Sequence, residues 1–243
     1  MKLKNIFVLL LILLLPLTSC SKNEARETLG KVEKITYYSN PKVTTGDEAL
    51  NLLKEGNKRY VEETLKNYDL GKEKREALSK GQSPHTVIVT CSDSRVAPEH
   101  LFDQGLGDIF IIRVAGNVLD KDEIGSVEYA VDHLKTPLVV MMGHESCGAV
   151  TSAVDMYENP NSSHGTENIN AILNKIIPSV KEAKKSNLKG EELVNKSIDL
   201  NIDSTVKQIK EQSPIIKQGI ANGKVKVVGA KYILSTGEVK WNE

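Results

Sequence analysis

Three short apolar runs, rich in β-branched residues, are the clearest hydrophobic pattern in the chain. They cover residues 86–90 (TVIVT), 109–113 (IFIIR) and 138–142 (LVVMM). None of them alternates apolar with polar positions, which is typical of strands that are buried on both faces of a parallel sheet. The pattern therefore predicts parallel strands that are connected by crossover helices.

Apolar residues at helical spacing predict helices on either side of these strands. We expect Pro178 to kink or interrupt one of them. Apolar residues at 224–234 and through Trp241 predict C-terminal strands. The predicted fold class is α/β, with a mostly parallel central β-sheet flanked by α-helices, an N-terminal helical arm and a C-terminal strand. The expected helices cover about 45–61, 72–80, 123–134, 148–157, 169–185 and 191–212.

The N-terminus has the composition of an export signal. Lys2 and Lys4 precede an apolar run at 6–17 that is short for a membrane-spanning helix, and small residues then lead into Cys20. The end of this segment resembles a bacterial lipobox, in which the signal is cut before a cysteine whose thiol takes a diacylglycerol. An ordinary secretory signal with an incidental cysteine is the alternative.

These features divide the chain into three parts. We expect residues 1–19 to be a lipoprotein signal peptide, 20–45 a polar tether with an extended arm, and 46–243 one α/β domain. The protein would then be exported and held by its lipid alone at the bacterial cell membrane, facing outside the cytoplasm.

Composition narrows the class of partner. The chain has 243 residues, 40% of them hydrophobic, which is enough for one sizeable domain. Its 32 basic residues balance 32 acidic ones, and no basic block alternates with aromatic residues. We therefore expect no nucleic-acid partner.

The candidate chemistry lies at the predicted strand ends. Cys91 follows the first apolar run directly, and His144 and Cys147 follow the third. The carboxyl ends of parallel strands gather ligand sites, so these residues can converge. Two thiolates and one imidazole suit Zn²⁺, and three protein ligands with a fourth position open are typical of a catalytic zinc site.

Charged residues close to the first cysteine fit that interpretation. Asp93 could either occupy the fourth position or accept a hydrogen bond there, and Arg95 would compete with zinc for its carboxylate. A Cys91–Cys147 disulfide is the main alternative, since an exported protein can form one. The remaining histidines show no ligand spacing, and we expect them at the surface; they are His85, His100, His133 and His164.

The runs C-S-D-S-R-V at 91–96 and H-x-x-C-G at 144–148 resemble the two zinc-ligand motifs of the β-class carbonic anhydrases. The resemblance covers about residue 47 to the C-terminus. It implies one Zn²⁺ per subunit on Cys91, His144 and Cys147, with Asp93 and Arg95 as the family's dyad beside it. Reversible hydration of CO₂ to bicarbonate by attack of zinc hydroxide is the implied activity.

The resemblance also implies a substrate pocket and an assembly. The family's pocket lies at a dimer interface, so the pocket residues can act on the partner subunit's zinc in a homodimer or homotetramer. The run R-V-A-G-N at 113–117 departs from the plant-type form of the family. The positions that match pocket residues are Gln82, Phe110, Tyr129 and Gly148.

Two other activities remain compatible with the same residues. One is a zinc hydrolase of the same fold that acts on carbonyl sulfide or carbon disulfide. The other is a module that binds zinc structurally and only senses bicarbonate.

Overall fold

The computed structural model describes residues 36–161 and 165–242. The predicted signal peptide, Cys20, most of the tether and His164 therefore lie outside the described residues. Within the two described stretches, no helix combines the length and apolar character that a membrane crossing requires.

A five-stranded sheet forms the centre of the domain, in the order β2-β1-β3-β4-β5. The first four strands are mutually parallel, and β5 is antiparallel to β4. The α/β prediction is confirmed, and the first two strands match their predicted bounds. The strands are β1 Thr86–Thr90, β2 Ile109–Arg113, β3 Leu138–His144, β4 Lys226–Tyr232 and β5 Val239–Asn242.

Eight α-helices occur in the described residues, and six of them were predicted. Helix α6 continues through Pro178, so of the two expected effects of this proline, a kink or an interruption, the interruption is wrong. The prediction missed α3, which is very short, and α8, although Ser213 and Pro214 form a typical helix start. The helices are α1 Gly46–Val61, α2 Lys72–Leu78, α3 Pro98–Leu101, α4 Lys121–Asp132, α5 Gly148–Glu158, α6 Glu167–Lys184, α7 Gly190–Gln212 and α8 Pro214–Ala221.

Local capping explains where α1 and α4 begin. The Thr45 side chain accepts a hydrogen bond from the Glu48 amide at the start of α1, and the Glu48 carboxylate binds back to the Thr45 amide. Asp120 and Glu123 form the same reciprocal box at the start of α4. Each box satisfies amide groups that a helix N-terminus leaves without partners.

Both faces of the sheet are covered. Ile88 and Val140 pack toward α1, whereas Val89 and Met141 pack toward α4, α7 and α8. A third apolar cluster, formed by α5, α6 and α7, includes Cys91 and Cys147. Every residue of β1 and β3 is buried, which explains why these strands read as unbroken apolar runs.

The order of strands creates a crevice beside β1. The chain leaves β1 for β2 on one side and later enters β3 on the other. The carboxyl ends of β1 and β3 therefore border a topological switch point, where ligands bind in open α/β sheets.

The arm before α1 is extended and is docked on the domain. Tyr38 forms an isolated parallel bridge with Tyr68, and its amide donates to the Asn67 carbonyl at 2.8 Å. The side-chain amide of Asn40 donates to Gln104 Oε1 at 2.7 Å and to Asp108 Oδ2 at 2.8 Å. These contacts fix the arm some residues before α1 begins.

Candidate metal centre

The first sulfur of the site follows β1 directly. The Cys91 side chain lies in the apolar cluster of α5, α6 and α7, and its Sγ accepts a hydrogen bond from the Gly116 amide at 3.3 Å. Arg113 at the end of β2 donates to the carbonyl oxygens of Cys91, at 3.3 Å, and Asp93, at 2.7 Å. The loop that carries Cys91 is thus held from the neighbouring strand.

The histidine lies on the last residue of β3 rather than after the strand, because β3 continues two residues beyond its predicted end. The His144 ring is fully buried. Its Nδ1 lies 2.8 Å from the Glu145 carbonyl oxygen, which can only accept, so Nδ1 carries the proton. The lone pair is therefore on Nε2, and this nitrogen is left free to join the two cysteine sulfurs as a ligand.

A tight turn brings the second sulfur back toward the histidine. Ser146 takes the left-handed conformation, with φ of 53°, and Cys147 is the N-cap residue of α5. The second cysteine was expected in the first turn of this helix, and the structure places it one residue earlier. Gly148 begins α5 and is exposed, and a Cβ at this position would meet no atom within 4 Å.

The three ligand atoms lie within 4.8 Å of one another, and all three residues are buried. The Cys91 and Cys147 sulfurs are 4.0 Å apart, and both cysteines are free. That separation is too long for a disulfide bond of ~2.05 Å. Two thiolates on one tetrahedral Zn²⁺, at ~2.3 Å each, would lie ~3.8 Å apart.

The donor set therefore fits zinc rather than a disulfide. His144 Nε2 is buried and has no hydrogen-bond partner among the described residues. A buried polar atom without a partner is costly, and a metal ion at this position would satisfy it. The alternative of a Cys91–Cys147 disulfide is wrong for this structure.

Each of the two cysteine sulfurs shifts the pKa of the other. The hydrogen bond with Cys147 lowers the pKa of Cys91 to about 4, against the opposing effect of burial. The same bond, together with burial, raises the pKa of Cys147, although the Val150 and Ala149 amides of α5 favour its thiolate. One sulfur thus ionises readily, and a cation between the two would allow the second to ionise as well.

Asp93 and Arg95 form a tight ion pair beside the three ligand atoms. Asp93 Oδ1 accepts from the Arg95 amide and from Arg95 Nε, both at 2.9 Å, and Oδ2 accepts from Arg95 Nη2 at 2.7 Å. These hydrogen bonds lower the pKa of Asp93 well below its usual range. Asp93 Oδ2 also lies 3.8 Å from His144 Nε2, so the carboxylate borders the candidate metal position.

The comparisons with known proteins agree with this geometry. A family model described as carbonic anhydrase matches residues 86–239. A carbonic anhydrase of Mycolicibacterium smegmatis is 40% identical over 195 residues, covering 79% of this chain and 91% of the relative. Carbonic anhydrase 2 of Mycobacterium tuberculosis is 38% identical over 189 residues, covering 78% and 89%.

Solved structures identify the class. The β-carbonic anhydrase CcaA superposes with a TM-score of 0.64 at 25% identity, covering 79% of this chain and 94% of that one. The chain belongs to the β-class carbonic anhydrases. A tetrameric β-carbonic anhydrase from Sordaria macrospora superposes with a TM-score of 0.58 at 25% identity, covering 69% of this chain and 84% of that one.

Of the four residues that the family resemblance assigned to a substrate pocket, Gly148 directly follows the ligand Cys147, whereas the other three are not placed at the ligand atoms in the single chain. Gln82 is exposed and borders a shallow recess with Ile109. Phe110 is half-buried on β2 and packs against Tyr129, with ring centroids 6.3 Å apart. Phe110 precedes the carboxyl end of β2 by three residues, or ~10 Å of strand. Within one subunit, this pair is therefore set back from the ligand atoms.

The prediction that four histidines lie at the surface is partly wrong. His100 is exposed, and the His133 side chain is 63% exposed, as expected. His85 is buried, with Nδ1 2.8 Å from the Thr86 hydroxyl and Nε2 3.0 Å from Gln104 Oε1. A tertiary contact therefore buries a histidine that sequence spacing left unassigned.

Sequence reasoning also missed the residues that hold the ligand loops. Arg113 was noted only as part of a motif, and its hydrogen bonds to the Cys91 loop follow from its position at the end of β2. Gly116 adopts φ of 68°, and a Cβ there would lie 2.7 Å from Ile176 Cδ1. The A-G-N run at 115–117 predicts a turn, but nothing in the local sequence indicates that the Gly116 amide reaches a cysteine.

Proposed function

We propose that this chain is a zinc carbonic anhydrase that interconverts CO₂ and bicarbonate. The observation that carries the proposal is the buried Cys91–His144–Cys147 group with the Asp93–Arg95 pair beside it, in a chain of the β class. The relatives described above are named carbonic anhydrases, and this favours CO₂ over carbonyl sulfide or carbon disulfide as substrate.

Cys91, His144 and Cys147 would hold the zinc. Bound zinc supplies a Lewis acid that activates water near neutral pH. Two thiolates donate more charge than neutral imidazoles do, so we expect the enzyme to work best on the alkaline side of neutral. A full rate at pH 6 would contradict this expectation.

The chain's own residues would orient the reacting water. Arg95 holds both oxygens of Asp93, so this carboxylate stays ionised and in a fixed direction. Ionised Asp93 is an acceptor only, and its Oδ2 borders the ligand atoms. It would therefore accept the hydrogen of the attacking oxygen and direct a lone pair toward CO₂. With Arg95 holding it, Asp93 is positioned beside the metal site rather than free to enter it.

The direct test is stopped-flow CO₂ hydration by the zinc-loaded domain lacking residues 1–20, measured across pH together with zinc content. We expect zinc-dependent turnover that Cys147→Ser abolishes together with the bound zinc. Asp93→Ala should keep the zinc and lose most of the turnover, since it removes only the acceptor. Zinc binding without any hydration would leave the bicarbonate-sensing alternative, and faster turnover of carbonyl sulfide would favour the hydrolase.

A second part of the proposal concerns assembly. Strand β2 is an edge of the described sheet, and its apolar residues Ile109–Ile112 are only half-buried. Tyr129, which is 47% exposed, extends this surface beside Phe110. An apolar edge of this kind is typical of a covered surface. We infer a homodimer or homotetramer in which Gln82, Phe110, Tyr129 and Gly148 border the substrate pocket, the first three across the interface.

Mixed subunits would test this shared site. Gln82→Ala and Cys147→Ser subunits are each expected to be nearly inactive alone. If the site is shared, refolding them together in equal amounts restores about a quarter of wild-type activity, because a heterodimer holds one intact site. If no activity returns although each variant folds, Gln82 serves its own subunit's zinc.

The cell-surface location is also proposed. The sequence supports cleavage before Cys20 and lipidation of its thiol, with 20–45 as the tether and 46–243 as the zinc domain. Mass spectrometry of the protein from bacterial membranes should find a diacylglycerol on Cys20 and no residues 1–19. Cys20→Ser should move the protein out of the membrane fraction, and recovery of an uncut chain in the cytoplasm would contradict the proposal.

A further inference from the structure

A row of buried polar side chains runs along α7, a helix that packs against the cysteines of the candidate metal centre. Ser197, Asn201 and Thr205 are spaced four residues apart, so they lie on one face of the helix. They are 0%, 2% and 3% exposed. Their neighbours Ile198 and Ile202 belong to the apolar cluster that contains both cysteines.

Two members of this row are satisfied within their own helix. The Ser197 hydroxyl donates to the Leu193 carbonyl at 2.8 Å, and the Thr205 hydroxyl donates to the Ile202 carbonyl at 2.9 Å. Asn201 differs from both, because its Nδ2 leaves the helix and donates to the Gly116 carbonyl at 2.9 Å. This contact joins residues that are 85 positions apart in the sequence.

Gly116 is the residue whose amide reaches the first sulfur. Its N–H donates to Cys91 Sγ at 3.3 Å, while its carbonyl faces Asn201. Gly116 and Asn117 both take the left-handed conformation, with φ of 68° and 45°. Gly and Asn are the residues that adopt this conformation most readily, and the Asn201 side chain holds the turn by its hydrogen bond to the Gly116 carbonyl.

We propose that Asn201 is a positioning residue for the metal centre, acting on Cys91 through Gly116. The Asn201 amide fixes the Gly116 carbonyl, and this fixes the orientation of the turn that aims the Gly116 N–H at Cys91 Sγ. The N–H stabilises negative charge on the sulfur and holds it in place for zinc. The inference rests on the zinc site of the proposed function, and it concerns how firmly zinc is held.

The test compares Asn201→Leu with Ser197→Ala and Thr205→Ala in the zinc-loaded full domain. All three substitutions remove a buried hydrogen bond from the same face of α7. Transfer of zinc to a chromophoric chelator at fixed pH is the readout. We expect transfer to be ~10-fold faster in Asn201→Leu, which is the size of effect that partners of ligating residues have. Ser197→Ala and Thr205→Ala should stay within about twofold of wild type.

A spectroscopic measurement separates positioning from a general loss of stability. In the Co²⁺-substituted protein, the sulfur-to-cobalt charge-transfer band reports the electron density on the thiolates. In Asn201→Leu, loss of the Gly116 N–H donor should move this band to longer wavelength. In Ser197→Ala and Thr205→Ala, the band should be unchanged. If Asn201→Leu does not fold, Asn201→Ala serves in its place, because it leaves room for water rather than an apolar side chain.

The outcomes are distinguishable. Zinc transfer and a cobalt band equal to those of the two control variants would overturn the role of Asn201. A wild-type domain that binds no zinc at all would instead overturn the proposed function, and the role of Asn201 with it.

Discussion

Two buried histidines, His85 and His144, lie in polar surroundings that differ in one respect. His85 is 8% exposed, and both of its ring nitrogens have side-chain partners, the Thr86 hydroxyl and Gln104 Oε1. His144 is fully buried, and only its Nδ1 has a hydrogen-bond partner, the Glu145 carbonyl. Its Nε2 has none among the described residues and faces two cysteine sulfurs.

The difference separates a structural histidine from a ligand. Gln104, which binds His85, also accepts from Asn40 of the arm and donates to the Phe102 carbonyl at 2.6 Å. This cluster is closed around the ring, and it joins the arm to the domain. The cluster around His144 is not closed in this way. The buried lone pair of its Nε2 faces the two cysteine sulfurs, which are electron-pair donors as well. Buried electron-pair donors that converge without a hydrogen-bond partner are typical of residues that bind a metal ion.

The largest expected effect comes from exchanging His144. His144→Gln should lose the zinc and lower kcat/KM for CO₂ hydration by ~10³-fold or more, since activated water depends on the metal. His85→Gln, the matched change in the closed cluster, should keep a full zinc content and nearly full activity. Zinc analysis and stopped-flow hydration on both variants would check the pair, and equal loss of zinc would remove the distinction between them.

The closed histidine should instead contribute to the stability of the fold. His85→Leu leaves the buried Thr86 hydroxyl without its His85 partner and removes one of the two hydrogen bonds at Gln104 Oε1, which keeps the one from Asn40. This should cost ~2 kcal/mol of unfolding free energy. Urea unfolding of the zinc-loaded domain would measure it. The surface change His133→Leu is the control and should alter the free energy by less than ~0.5 kcal/mol. A His85→Leu value as small as the control would mean that the cluster contributes little.

The closed histidine should also respond to pH. Burial lowers the pKa of His85 below its ordinary value near 6.5. The unfolded chain therefore binds a proton before the folded chain does, so this contribution to stability is complete above pH 6.5 and decreases as the pH falls below it. Unfolding between pH 8 and pH 5.5 should show a steeper loss in wild type than in His85→Leu. Parallel curves would contradict the shift.

The smallest expected effect is at the docked arm. Asn40→Ala removes donors to Gln104 and Asp108 and an acceptor for the Tyr68 hydroxyl, all in a half-buried place. We expect ~1 kcal/mol of lost stability, faster amide exchange at Tyr38 and unchanged hydration activity. Asn222→Ala, in a surface turn, is a suitable control. A change in activity larger than the change in stability would mean that the arm reaches the site.

The sequence predicted the ligand residues at the two strand ends well. It predicted the contacts that hold the ligand loops poorly. The strands were predictable because residues of β1 and β3 are buried on both faces, and Cys91 and His144 stood at the ends of those runs. His144 was expected after the third strand and is its last residue, because the strand continues two residues further through Gly143, which shows no strand preference. Helix α8 carried a readable Ser213–Pro214 start that apolar periodicity alone did not detect.

What could not be predicted depends on contacts between distant segments. The burial of His85 depends on Gln104 and on the arm, and the role of Gly116 depends on Asn201 of α7. No local pattern encodes such pairs. Gln82, Phe110 and Tyr129 came from the family resemblance, and their functional roles stay predictions, because within one subunit they lie away from the ligand atoms.

The nearness of Cys91 and Cys147 has a consequence for the unfolded chain. The two sulfurs are 4.0 Å apart in space and 56 residues apart in sequence. An ion bound by both would act as a removable cross-link that closes a long loop, and the chain-entropy account values such a loop at ~4 kcal/mol. Zinc binding would then contribute to the free energy of folding, so stability would depend on the zinc concentration. A cell poor in zinc would hold a less durable protein as well as a less active one.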